Sequence, residues 1–214
     1  MKTVLCYGDS LTWGYNPANA GRHEYSDRWP TVLAAGLGSD VVVIADGLNG
    51  RTTCYDDHSS LAERNGSKTL PTVLATHQPL DLVILFLGTN DLKRSTGGGR
   101  AFEARLGMER LLEIVRLSPY YAGYGVPKVL IVAPPHFVVT EEPDFTKLFG
   151  HAIVNSQEFG TAYALVADEY GGDIFDASEI AECSALDGIH LDAENTRRIG
   201  EALVAPVKAI LARP

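Results

Sequence analysis

The chain has 214 residues, 45% of them hydrophobic, which is enough for one sizeable core and suggests a single unit spanning residues 1–214. Its formal net charge of −9 repels phosphate backbones and anionic lipid, so neither nucleic acid nor a membrane surface is an expected partner. Cys6, Cys54 and Cys183 lack CxxC spacing, which speaks against a disulfide framework and a zinc site, and Cys6 lies in an apolar run that suits a buried position.

The first strand-like segment, Thr3 to Tyr7, is a short apolar run ended by Gly8. It is too short for a signal peptide, and no later stretch approaches the ~20 apolar residues of a membrane span, so the expected location is the cytoplasm. A long polar loop from Asn16 to Trp29 follows. Val41 to Ala45 is a second strand, ended by Asp46-Gly47, and Leu82 to Leu87 a third, ended by Gly88. After the flexible run Gly97-Gly98-Gly99, the residues Phe102, Leu106, Leu111, Leu112 and Val115 mark a helix. Val129 to Ala133 is a fourth strand, and Pro134 to Lys147 a second long polar loop. Ile153, Ala162, Leu165, Val166 and Tyr170 mark another helix, and Ile174-Phe175 a short fifth strand. In the last helix Ile199, Leu203, Val207, Ile210 and Leu211 form one apolar face, with Pro206 placed to kink it.

Continuous apolar strands alternating with helices predict a parallel sheet buried on both faces, with right-handed crossovers. The expectation is an α/β three-layer fold with five parallel strands in the order 2-1-3-4-5. Ligands then bind beyond the carboxyl ends of the strands. Polar clusters stand at three of those ends: Gly8-Asp9-Ser10, Asn49-Gly50, and Gly88-Thr89-Asn90-Asp91.

These clusters suggest acyl transfer. A serine at a strand end, where a helix begins, presents its hydroxyl at the top of the sheet, although a plain N-cap serine occupies the same place. Asp187 and His190, three apart in Asp187-Gly188-Ile189-His190, can pair across a tight turn and leave Nε2 free to take a proton from a serine. The other five histidines have no such partner and read as structural or surface residues. Gly50 lets the backbone approach a substrate closely, and Asn90 offers an amide N–H, although asparagine is also a good turn former.

Taken together, Gly8-Asp9-Ser10-Leu11, Gly50, Asn90 and the pair Asp187 and His190 resemble, in order and across almost the whole chain, the sequence blocks of the SGNH (GDSL) hydrolases. The resemblance implies a flavodoxin-like sheet, Ser10, His190 and Asp187 as a catalytic triad, and an oxyanion hole from the N–H groups of Ser10 and Gly50 and the side chain of Asn90. Gly8 to Gly14, Ala75-Thr76-His77 and Pro79-Leu80-Asp81-Leu82-Val83 further resemble the bacterial arylesterase and acyltransferase branch. That branch implies short acyl esters as substrates, transfer to alcohols or peroxide, and a homo-oligomer, up to an octamer. Some members carry alanine where Gly50 stands, which keeps the backbone N–H.

Asp9, Leu11, Trp13 and Thr89 are the expected substrate-contacting neighbours of Ser10, with Trp13 either walling the acyl side or packing into the core. Tyr120, Tyr121 and Tyr124 crowd a glycine-rich stretch and suit a protein contact or packing under a loop. No cofactor or metal is implied. The GDxH and GNHE motifs of metal-dependent phosphohydrolases are absent, and no P-loop lysine follows Gly8. A carbohydrate O-acetylesterase, or a flavodoxin-like binding module without catalysis, remains an alternative.

Overall fold

The computed structural model describes residues 1–96 and 98–213. Its sheet is built from β1 (Lys2–Gly8), β4 (Val41–Gly47), β5 (Leu82–Phe86), β6 (Lys128–Ala133) and β7 (Asp173–Asp176), all parallel, in the order β4-β1-β5-β6-β7. A two-stranded ribbon, β2 (Tyr15–Asn16) with β3 (Gly21–Arg22), accounts for the gap in numbering. The order is therefore the expected 2-1-3-4-5.

Alternation within the central strands explains why both faces are apolar. Val4 and Cys6 of β1, with Leu82, Ile84 and Phe86 of β5, point to one face. There they meet α2 (Trp29–Leu37) and α8 (Ala193–Ala212) through Leu33, Leu37, Ile199, Leu203, Val207 and Ile210. Leu5, Tyr7, Val83 and Leu85 point the other way, against α3 (Gly66–His77), α4 (Ala101–Leu117) and α7 (Phe159–Tyr170). Burial of the whole of β5 and of most of β1 is what a strand covered by helices on both sides requires. Cys6 is buried and its thiol is pushed above the ordinary range by burial.

Several helical expectations are corrected. Of the residues expected to face inward from α4, Leu111, Leu112 and Val115 are buried, but Phe102 and Leu106 are exposed, and Ala104 and Met108 complete the buried stripe. At Gly107 the α4 backbone comes close to another segment, which requires the small residue: a Cβ there would stand 1.7 Å from Thr53 Oγ1. Ile153 belongs to a separate short helix, α6 (Ile153–Ser156), and Leu165 of α7 is exposed. The supposed loop before Trp29 contains the β2–β3 ribbon, and fully buried Trp29 opens α2. The loop after Pro134 ends in α5 (Pro143–Phe149), capped by Glu142, whose Oε2 accepts from the Phe145 N–H at 2.7 Å. Helix α8 runs through Pro206 without interruption. Of the glycine run before α4, Gly97 lies outside the described residues. No helix among the described residues is long and apolar enough to cross a membrane.

Candidate active site

The end of β1 is organised by one buried carboxylate. Asp9 Oδ1 accepts from the Leu11 N–H at 2.9 Å and so caps α1 (Ser10–Trp13), of which Ser10 is the first residue. This fixes Ser10 at the carboxyl end of β1. From the loop before α8 comes the turn carrying Asp187 and His190. Asp187 Oδ1 accepts from the backbone N–H groups of Ile189 (3.1 Å) and His190 (2.9 Å), while Oδ2 lies 2.7 Å from His190 Nδ1. His190 Nε2 lies 2.9 Å from Ser10 Oγ. Burial pushes the Asp187 carboxyl up, but the hydrogen bonds from His190 and the backbone outweigh it and hold the group below its usual range. The three residues thus form one hydrogen-bonded line, an arrangement able to take a proton from Ser10 Oγ onto Nε2 opposite an ionised carboxylate.

The expected oxyanion donors surround the same strand end. Among the described residues, neither the Ser10 nor the Gly50 backbone N–H donates to a protein acceptor. Gly50 adopts φ +83°, a conformation in which an alanine would be strained although it would keep the backbone N–H. Asn90 is more occupied than its sequence context suggests: its Nδ2 donates to Arg51 O at 3.1 Å and to Asp9 Oδ2 at 3.3 Å. Donation to a substrate oxygen then means sharing or releasing the longer of the two.

Of the four residues expected to touch substrate, Asp9 is corrected: it has no exposed surface, and both its carboxylate oxygens are engaged within the protein. Leu11 and Thr89 are also closed off, Leu11 within the apolar core. Trp13 is half-buried, and the Arg22 guanidinium lies 4.7 Å over its ring. Two aromatic residues that no motif marks take the place beside the histidine. The Tyr15 ring lies 4.1 Å from that of His190, tilted by 34°, and the Phe145 ring lies 5.7 Å away, nearly perpendicular to the imidazole. Phe145 also lines an apolar cavity of about 230 Å³ with Phe137, Phe149 and Ile153, next to the Asp187–Ile189 turn.

Beneath the site lies a polar layer that spacing could not reveal. Arg51 Nη1 donates to Gly8 O (2.8 Å) and Asp46 O (2.7 Å), and its guanidinium lies 4.1 Å over the Tyr7 ring. Asp91 accepts from the Thr53 N–H at 3.1 Å and from the Thr53 hydroxyl, so it pins the segment after Gly50 to the segment of Asn90. Burial pushes both Asp9 and Asp91 up to about 7. No group of three or more His, Cys, Asp or Glu side chains suited to a metal ion occurs among the described residues.

The family model described as GDSL-like lipase/acylhydrolase matches residues 6–197, a span that includes every residue of this site. No curated protein matches the chain. Among solved structures, a carbohydrate acetylesterase family member from Sinorhizobium meliloti is 48% identical with a TM-score of 0.97, each chain covered at 100%. A second carbohydrate acetylesterase from Sinorhizobium meliloti is 39% identical with a TM-score of 0.93, over 98% of this chain and 100% of that one. An aryl esterase from M. smegmatis is 39% identical with a TM-score of 0.92, again over 98% and 100%. A match over most of the chain, reaching from the serine at the end of β1 to the histidine before α8, leads to one assignment: the chain belongs to the GDSL-like lipase/acylhydrolase family and is a serine esterase.

Proposed function

We propose that the protein cleaves short-chain, acetyl-type esters through an acyl-enzyme on Ser10. Ser10 Oγ attacks the ester carbonyl carbon while His190 Nε2 takes its proton, and Asp187 holds the ring and the charge that forms on it. The carbonyl oxygen becomes an oxyanion received by the N–H groups of Ser10 and Gly50 and the amide of Asn90. The tetrahedral species collapses, the bond to the leaving alkoxide breaks, and Nε2 returns the proton to that oxygen. Water attacks the acyl-Ser10 carbonyl with His190 again as base, releasing the acid and restoring the serine. Alcohols or peroxide in place of water would give acyl transfer.

The observation that carries this reading is the continuous line from Ser10 Oγ to His190 at 2.9 Å and from His190 to Asp187 at 2.7 Å. Short acyl groups are supported by the similarity to structures named as acetylesterases and an aryl esterase. The 48% identity to a carbohydrate acetylesterase family member favours a second reading on the alcohol side, an acetylated sugar as the natural ester. We further propose a cytoplasmic homo-oligomer, supported by the exposed Tyr121 and Tyr124, whose rings meet edge to face at 6.4 Å.

An organophosphonate tests the core of the proposal. It should label Ser10 alone, and Ser10→Ala should abolish turnover of nitrophenyl acetate while the far-UV circular dichroism stays native. An active alanine variant, or labelling at another serine, removes the mechanism.

A further inference from the structure

We infer that Arg64 is a positioning residue that locks the Asn49–Gly50 peptide so that the Gly50 N–H stays directed at the reacting ester. The inference rests on the oxyanion role proposed for Gly50.

A peptide unit is planar and trans, so its C=O and N–H point in opposite directions. Whatever fixes the Asn49 carbonyl therefore fixes the Gly50 N–H. Arg64 Nε donates to Asn49 O at 3.0 Å. The guanidinium also occupies the space beside the next residue: a Cβ on Gly50 would stand 2.5 Å from Arg64 Nε. Glycine at φ +83° is otherwise the residue most free to let that peptide turn over. A turned peptide would present a carbonyl oxygen to the developing oxyanion, replacing a donor by a repelling dipole.

Arg64 is itself held from both ends. Its Nη1 donates to Asp57 Oδ2 at 2.9 Å and to Ser59 Oγ at 3.1 Å. Asp57 is 6% exposed in its side chain, and although burial pushes its carboxyl up, hydrogen bonds from Ser59 and Arg64 and the charge of Lys93 bring it down to about 2. Its charge is thus present at any working pH. The Arg64 backbone is anchored as well, its carbonyl accepting from the Thr52 N–H at 2.9 Å. The other two donors have equivalent holds without a charged side chain on a carbonyl. The Asp9 carbonyl, of the peptide that carries the Ser10 N–H, accepts from the Trp13 N–H at 2.9 Å, and Asn90 is held by Arg51 O and Asp9. Only the Gly50 peptide lies outside regular structure, and there a charge-assisted bond does the holding. The cation also polarises the amide it binds, which makes the N–H a better donor.

The test compares Arg64→Lys, Arg64→Gln, Arg64→Ala and Asp57→Asn with the intact chain. The readouts are kcat and KM on nitrophenyl acetate and the inhibition constant of a short trifluoromethyl ketone, whose serine adduct carries an oxyanion. Losing an oxyanion donor outright lowers kcat by roughly 10²–10³, so loosening one should lower it by about 10- to 100-fold. We expect that loss for Arg64→Gln with KM within about twofold, and a matching rise in the ketone inhibition constant. Arg64→Lys, which keeps the charge without the planar fork, should fall between, as should Asp57→Asn, which leaves the arginine in place but unheld. Added guanidinium should restore part of kcat to Arg64→Ala. Unchanged kcat in the folded variants, or a loss that appears in KM without the ketone following it, overturns the inference. So does a loss that only tracks the unfolded fraction seen by circular dichroism. Ser10→Ala separates the two levels: if it is inactive while the Arg64 variants turn over normally, the inference alone falls, and if it is active, the reading beneath falls with it.

Discussion

Replacing Asn90 by alanine should damage stability and catalysis by separable amounts. The residue is 4% exposed, and its Nδ2 supplies two hydrogen bonds, one to the Arg51 carbonyl at 3.1 Å and one to Asp9 at 3.3 Å. Truncation leaves both acceptors buried and unpaired. A neutral bond contributes about 1 kcal/mol and one to a carboxylate about 1.5 to 3, so the folded state should lose roughly 2–3 kcal/mol, given the length of the second bond. For a chain of this size each kcal/mol moves Tm by about 2–4 °C, which predicts a drop of roughly 4–12 °C. The kinetic loss is of another kind. An amide that acts on the oxyanion stabilises the transition state more than the bound ester, so kcat should fall by roughly 10²–10³ with KM little moved. The assay is steady-state turnover of nitrophenyl acetate at a temperature at least 15 °C below the variant's own midpoint, a margin of about 4 kcal/mol on the same scale. If kcat there stays within threefold of the parent while Tm falls as expected, Asn90 is a turn former and a brace, and the oxyanion role is refuted.

Acidity supplies a second prediction. Burial pushes Asp9 and Asp91 up to about 7, far above the ~3.9 of an aspartate in the unfolded chain. Between those values the folded chain holds more protons than the unfolded one. The stability the two groups contribute is therefore full below about pH 4 and is lost as pH rises through about 7. Tm measured from pH 5 to 8 should fall more steeply in the parent than in Asp9→Asn, and equal slopes would contradict this. The acyl pocket can be probed with nitrophenyl esters from acetate to octanoate: kcat/KM should decline beyond butyrate, and a steady climb to octanoate would overturn the short-chain reading. Sedimentation at micromolar concentration should show an assembly; a species of single-chain mass alone would exclude the oligomer.

What the sequence made legible follows from the range of the forces involved. The strands were readable because β1 and β5 are apolar at every covered position, and Val4, Leu5, Cys6 and Tyr7 alternate between two hydrophobic layers. Asp187 and His190 were readable because three residues fix their distance through a local turn closed by the Asp187 carboxylate. Helix α2 escaped because it opens on Trp29-Pro30, and α3 because Pro71 interrupts its pattern. Phe102 and Leu106 misled because an apolar pair four apart marks a stripe without saying which stripe faces the sheet. Tyr15, Arg64 and the contact between Thr53 and Asp91 were invisible for another reason. Tyr15 and Thr53 meet partners that only the sheet topology brings near, His190 and Asp91, while Arg64 meets Asn49 and Asp57 within the irregular segment between β4 and α3, where no spacing rule applies.

The same topology explains why no long loops are needed to gather the three proposed oxyanion donors. Strand β1 lies between β4 and β5, with Gly8 level with Gly47 on one side and with Phe86 on the other. Ser10, Gly50 and Asn90 stand two, three and four residues beyond those level points. Parallel strands rise by about 3.3 Å per residue, so a one-residue slip of either pairing would carry a donor farther than a hydrogen bond tolerates. Register is therefore part of the chemistry. It is held by the buried alternation below and, above it, by Arg51, which ties Gly8 O to Asp46 O, and by Asp9 and Asp91, which tie the segments of Ser10, Asn90 and Thr53 together. Two carboxylates forced so far up by burial are a destabilising choice near neutral pH. Their place between these segments gives the reason for keeping them: Asp9 accepts from the Leu11 N–H and the Asn90 side chain, and Asp91 from the N–H and hydroxyl of Thr53, which an apolar residue of the same size cannot do.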